Sequence, residues 1–145
     1  MIKTVGGSVT FASLLAAGLT VAEAGDAPSG GTMSPNDGVT VTVLIRQPLP
    51  DVKGKEVTIV SVAYAPGAAS LPHRHPGSTF AYVLEGSIVS EVVPGEAKTY
   101  KKGEMWSETP MALHKVSRNA SATKPAKLIA FLISDIGQNI LLPPS

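Results

Sequence analysis

All three histidines of this chain, His73, His75 and His114, stand where they can converge on one metal ion, and no histidine is left over. The first two lie in Gly67-Ala-Ala-Ser-Leu-Pro-His73-Arg-His75-Pro-Gly-Ser-Thr79, which reads as a turn, an imidazole pair and a second turn leading into a strand. Residues i and i+2 of an extended segment share a face, so His73 and His75 can point at the same ion while Arg74 points the other way. His114 must approach from elsewhere in the fold, and its surroundings, Met111-Ala-Leu-His114-Lys-Val-Ser, have strand character. Three neutral imidazoles bind a first-row divalent ion and add no negative charge, so the ion keeps positions open to water, dioxygen or a substrate.

The elements that must position these groups are strands. After residue 38 the chain is dominated by Val, Ile, Thr and Tyr in short runs punctuated by Gly and Pro. Runs are expected at 39–46, 56–65, 79–84, 87–93, 98–101, 104–108, 112–116 and 127–134. Together with the histidine-bearing strand they total about eight to ten, with no amphipathic helix. Pro66-Gly67, Pro76-Gly77, Glu85-Gly86 and Pro94-Gly95 mark turns, with Glu85-Gly86 read as a hairpin. This pattern predicts an all-β sandwich or barrel of jelly-roll type.

The 145 residues allow one domain. With 43% hydrophobic and 16% charged residues the chain is too apolar for disorder, and a net charge of +1 with scattered Lys and Arg offers no footprint for nucleic acid. A small-molecule substrate or ligand is the expected partner. Absence of cysteine excludes disulfides, thiolate ligands and cysteine nucleophiles, so any metal is held by nitrogen and oxygen. Residues 1–24 have the parts of a secretory signal: Lys3, an apolar stretch from about Val9 to Val21, and Ala22-Glu23-Ala24 as a cleavage site. The expectation is export to the periplasm or medium, with no membrane attachment after cleavage, a flexible leader over 25–38, and the domain over 39–145.

The histidine motifs resemble those of small single-domain cupins, a jelly-roll barrel superfamily, over about residues 39–134. The family's first motif runs Gly, five residues, His, one residue, His, three or four residues, Glu, six residues, Gly. Gly67, His73, His75 and Gly86 fit it position for position, and Thr79 occupies the glutamate slot. The second motif runs Gly, five residues, Pro, one residue, Gly, two residues, His, three residues, Asn. Gly103 and His114 keep its full separation, whereas Pro110 and Asn119 are each one place late and Met111 stands where a glycine would be.

The resemblance implies a cupin-type jelly-roll barrel with His73, His75 and His114 as ligands of one divalent transition metal, Fe(II) first, with Zn, Ni or Mn as alternatives. Members lacking the acid resemble three-histidine iron dioxygenases or cupins that use zinc as a Lewis acid. A metal-dependent enzyme, dioxygenase-like with iron, is therefore expected; the rival is an exported module that holds a metal or small ligand without converting it. Two site residues are expected to act in catalysis: Thr79, whose hydroxyl would meet a metal-bound water, and Glu108, which with Glu104 is a candidate for proton transfer. A metal-free histidine base of the sugar-isomerase kind would need one imidazole paired with an acid, and three converging imidazoles speak against it. Phe80, Tyr82, Met105, Trp106 and Met111 are candidates for a pocket wall or for core. If Thr79 faces inward, Ala81 and Val83 do too, and Phe80 and Tyr82 pack outside, where an aromatic patch suits a homodimer.

Overall fold

The computed structural model describes residues 36–145. The expected signal sequence and nearly all of the expected leader lie outside them. Ten strands and no helix occur among the described residues: β1 (Val39–Pro48), β2 (Lys55–Tyr64), β3 (Ala69–Ser70), β4 (His73–Arg74), β5 (Ser78–Glu85), β6 (Ser87–Val92), β7 (Lys98–Lys101), β8 (Met105–Glu108), β9 (Leu113–Asn119) and β10 (Ala126–Asp135). They form two antiparallel sheets, one in the order β1-β2-β10-β5-β8, the other β3-β9-β6-β7 with β4 also paired to β9. This is the jelly roll that the short β-branched runs predict.

Period-2 alternation decides what the sheets enclose. On β5, Thr79, Ala81 and Val83 are buried while Phe80, Tyr82 and Leu84 are exposed; on β10, Leu128, Ala130 and Leu132 face the same interior. Val60, Tyr64, Ala68, Ile88, Trp106 and Ala126 complete the core. Val83 and Ile88 are wholly buried, each stabilising the fold by about 1.5–3 kcal/mol relative to exposure. The outermost strand, β1, is exposed along nearly its whole length, with a register irregularity at Leu44.

Two local features depart from the sequence pattern. Glu85-Gly86 is not a hairpin: β5 pairs with β8 and β10, β6 with β7 and β9, so the turn carries the chain from one sheet to the other. Gly86 has φ of +68°, and a Cβ there would lie 2.7 Å from the Pro125 carbonyl oxygen, so glycine is needed at this corner. The histidine-bearing strand is also shorter than a regular ladder, because β4 ends at Arg74 and His75 stands just beyond it.

Candidate metal centre

Register brings the imidazoles together. His73 on β4 lies directly opposite His114 on β9, and their ring centroids are 4.9 Å apart. His75, two residues on, places its ring centroid 4.8 Å from that of His73. One ring nitrogen from each histidine lies within 4.8 Å of the others.

The phase of the next strand is fixed by Gly77. A Cβ at that position would sit 1.9 Å from the Ile133 carbonyl oxygen, so only glycine lets β5 begin against β10 and turn Thr79 inward.

Backbone carbonyls orient two of the rings. His73 Nδ1–H donates to the Leu71 carbonyl at 2.7 Å, and His75 Nδ1–H donates to the Ile140 carbonyl at 2.6 Å. A carbonyl only accepts, so in each neutral ring Nε2 carries the free lone pair. His114 is held the other way round: Nε2 shares a hydrogen bond of 2.8 Å with the Ser90 hydroxyl, and Nδ1 faces Glu108 Oε1 at 3.2 Å. Burial lowers the pKa of all three, that of His114 to about 3, which keeps the imidazoles unprotonated near neutrality.

Arg74 points away from the pair. It donates to the carbonyls of Pro144 and Met111, and its backbone pairs with Leu142, tying the C-terminal tail across β4. No carboxylate takes part in these bonds. The tail in turn supplies the Ile140 carbonyl that orients His75.

Glu108 stands where the sequence makes it a candidate, and Glu104 does not. Glu108 is buried, Oε1 accepts from Trp106 Nε1–H at 3.0 Å, and Oε2 lies 3.9 Å from His75 Nε2. Burial raises its pKa, opposed by the Trp106 hydrogen bond and by His73. Glu104 is an exposed turn residue whose Oε2 accepts from the Lys101 amide. Thr79 is 1% exposed and sits directly across from Glu108 in the β5–β8 register. Of the five residues considered for a pocket wall only Trp106 contributes, since Phe80, Tyr82, Met105 and Met111 are all exposed.

A cavity of about 260 Å³ opens beside the histidines. Val60, Val62, Leu128, Ala130 and Leu132 make its apolar walls, with the histidines, Thr79 and Glu108 also lining it. Tyr64 closes part of the wall, its hydroxyl bonded to Ser70 and Ser117. Sequence reasoning missed Tyr64 and Ser90. Alternation from the buried Thr58 and Val60 along β2 was the available signal for Tyr64; Ser90 lies on a buried face of β6 without any motif.

The donor set suits a metal. Among the described residues, His114 Nδ1 and Glu108 Oε2 are buried atoms without a hydrogen-bond partner. Buried polar atoms are normally satisfied, and a cation among these groups would engage both. A nitrogen-rich set with carboxylate oxygen nearby fits first-row transition ions.

The model of the cupin domain family matches residues 60–132, and the chain belongs to that family. Its fold is similar to that of a cupin domain from Bordetella pertussis at 21% identity and a TM-score of 0.52, covering 72% of this chain and 99% of that one. KdgF from Halomonas is similar at 21% identity and a TM-score of 0.53, covering 68% of this chain and 79% of the other. The DMSP lyase DddQ from Ruegeria pomeroyi is similar at 16% identity and a TM-score of 0.61, covering 75% of this chain and 54% of that longer protein. No curated protein matches at significant similarity.

Proposed function

Taking membership of the cupin family as premise, we propose that the protein is a metal-dependent enzyme acting on a small oxygen-bearing molecule. The observation that carries this reading is the convergence of three neutral, individually oriented imidazoles on the wall of a cavity of about 260 Å³. His73, His75 and His114 hold the ion. When bound, it would supply Lewis acidity toward a substrate oxygen and, if it is Fe(II), dioxygen activation. The apolar walls exclude water and select a compact molecule with one polar end, while Thr79 and Glu108 line the same cavity from opposed strand positions. KdgF and the DMSP lyase DddQ, both similar in fold, support catalysis on this scaffold.

An open coordination position separates an enzyme from a storage module. Protein loaded with Mn(II) should show strong, exchangeable enhancement of water-proton relaxation that a small chelating ligand displaces. A loaded protein without exchangeable water would instead be a binding module.

The same reading includes export and self-association. Residues 1–24 act as a cleaved signal, so the mature chain should begin at Gly25 on N-terminal sequencing. Phe80, Tyr82, Met105 and Phe131 are exposed neighbours on the outer face of one sheet, and they support a homodimer built on that face. Light scattering should give twice the monomer mass, and the monomer mass would rule the dimer out.

A further inference from the structure

We propose that Glu108, on β8, is the carboxylate ligand of the metal centre, doing from the neighbouring strand what Thr79 cannot do from β5. This assignment rests on the three-histidine reading above and changes the expected role of Glu108 from a free proton carrier to a ligand.

Register places the acid. Thr79 and Glu108 are directly opposed in the β5–β8 ladder, and both are buried. Opposed residues in an antiparallel pair have Cβ atoms about 4.5–5.5 Å apart, so a long acid on one strand reaches the space left by a short residue on the other. Thr79 is short, and among the described residues its hydroxyl makes a single long contact of 3.5 Å to the Gly77 carbonyl.

Hydrogen bonding orients it. Trp106 Nε1–H holds Oε1, and Oε2 is left buried with no hydrogen-bond partner among the described residues. His114 Nδ1, which makes no hydrogen bond among the described residues, lies 3.2 Å from Oε1, and His75 Nε2 lies 3.9 Å from Oε2. Ligand atoms about 2.0–2.1 Å from a shared ion are roughly 2.8–3.4 Å apart along an octahedral or tetrahedral edge, so the His114 separation already fits, whereas the carboxylate must close on His75 by about 0.5 Å or more when the ion binds.

Charge calls for a cation. The ion pairs of Glu108 among the described residues are with histidines alone, with no lysine or arginine. A buried carboxylate without a fixed cation is costly, and a divalent ion held by the histidines supplies that cation beside it.

The test uses metal affinity and cobalt spectroscopy rather than turnover. Wild type, Glu108→Gln, His114→Ala and the double variant Thr79→Glu/Glu108→Thr are each loaded with Co(II), and affinity is read by competition with a chelator. Glutamine keeps an acceptor for Trp106 while removing the anionic ligand. Glu108→Gln should lose roughly 100-fold or more in affinity, beyond the usual range for a residue that merely supports a ligand, and should change the visible d–d bands. Moving the acid back to position 79 should recover much of that affinity. Wild-type affinity and spectrum in Glu108→Gln, with binding abolished in His114→Ala, would overturn the ligand assignment and leave the three-histidine reading intact. Failure of the wild type to take up cobalt would overturn both.

Discussion

Replacing Ser90 with alanine removes the side-chain hydroxyl that fixes the third imidazole. Ser90 Oγ lies 2.8 Å from His114 Nε2, and both residues are about 3% exposed, so no solvent replaces the lost bond. Losing the hydrogen-bond partner behind a metal-binding histidine typically costs 10–100-fold in affinity, or about 1.4–2.7 kcal/mol. The metal-free protein should also lose about 1–3 kcal/mol, because a ring nitrogen in a dry site is left unpaired. The two effects separate experimentally: chelator competition with Zn(II) reads affinity, and denaturation of the metal-free protein reads stability. A Ser90→Ala variant that binds zinc within twofold of the wild type would show that Ser90 does not orient His114 for binding, and the reasoning about this ring would fail.

Three other changes probe the scaffold. Gly77→Ala should destabilise the domain by several kcal/mol, on the order of the largest single-site effects, because a Cβ there meets the Ile133 carbonyl at 1.9 Å; a melting temperature unchanged from wild type would contradict it. Met111 has φ of +64°, a left-handed conformation costly for a side chain, so Met111→Gly should raise stability by about 1 kcal/mol in urea denaturation, whereas a loss would mean that the exposed Met111 side chain makes contacts worth more than the strain. Truncation after Asn139 removes the Ile140 carbonyl from His75 and the tail strand from Arg74; zinc affinity should fall by roughly 10–100-fold, and an unchanged value on calorimetry would show the tail to be dispensable.

The common face of His73 and His75 is legible in their spacing alone, since strand alternation is local. The same alternation puts Thr79, Ala81 and Val83 inside and Phe80 and Tyr82 outside. The second motif's altered turn is legible as well: Met111 keeps the left-handed backbone that a glycine would adopt without strain. Asn119, one place late, remains buried and bonds the carbonyls of Ala65 and Lys124.

What could not be read depends on long-range pairing. Glu108 is close to the histidines because β8 pairs with β5 in one register, and nothing local to residues 104–108 specifies that partner. Glu104, four residues earlier, looks equally suitable in sequence and ends in a solvent-exposed turn. The Glu85-Gly86 dipeptide marks a reversal without saying which sheet receives the returning chain. The Ile140 carbonyl that orients His75 is a backbone group, with no side-chain signature at all.

Elemental analysis of the protein purified from its native compartment, without added metal or chelator, tests the central claim most directly. About one equivalent of a first-row transition metal per chain is predicted, absent from His114→Ala prepared in parallel. Iron would direct the next assay to oxygen uptake, and zinc, nickel or manganese to hydrolysis, isomerisation or elimination. A protein that arrives without metal and takes up none on titration would contradict the metal-centre assignment.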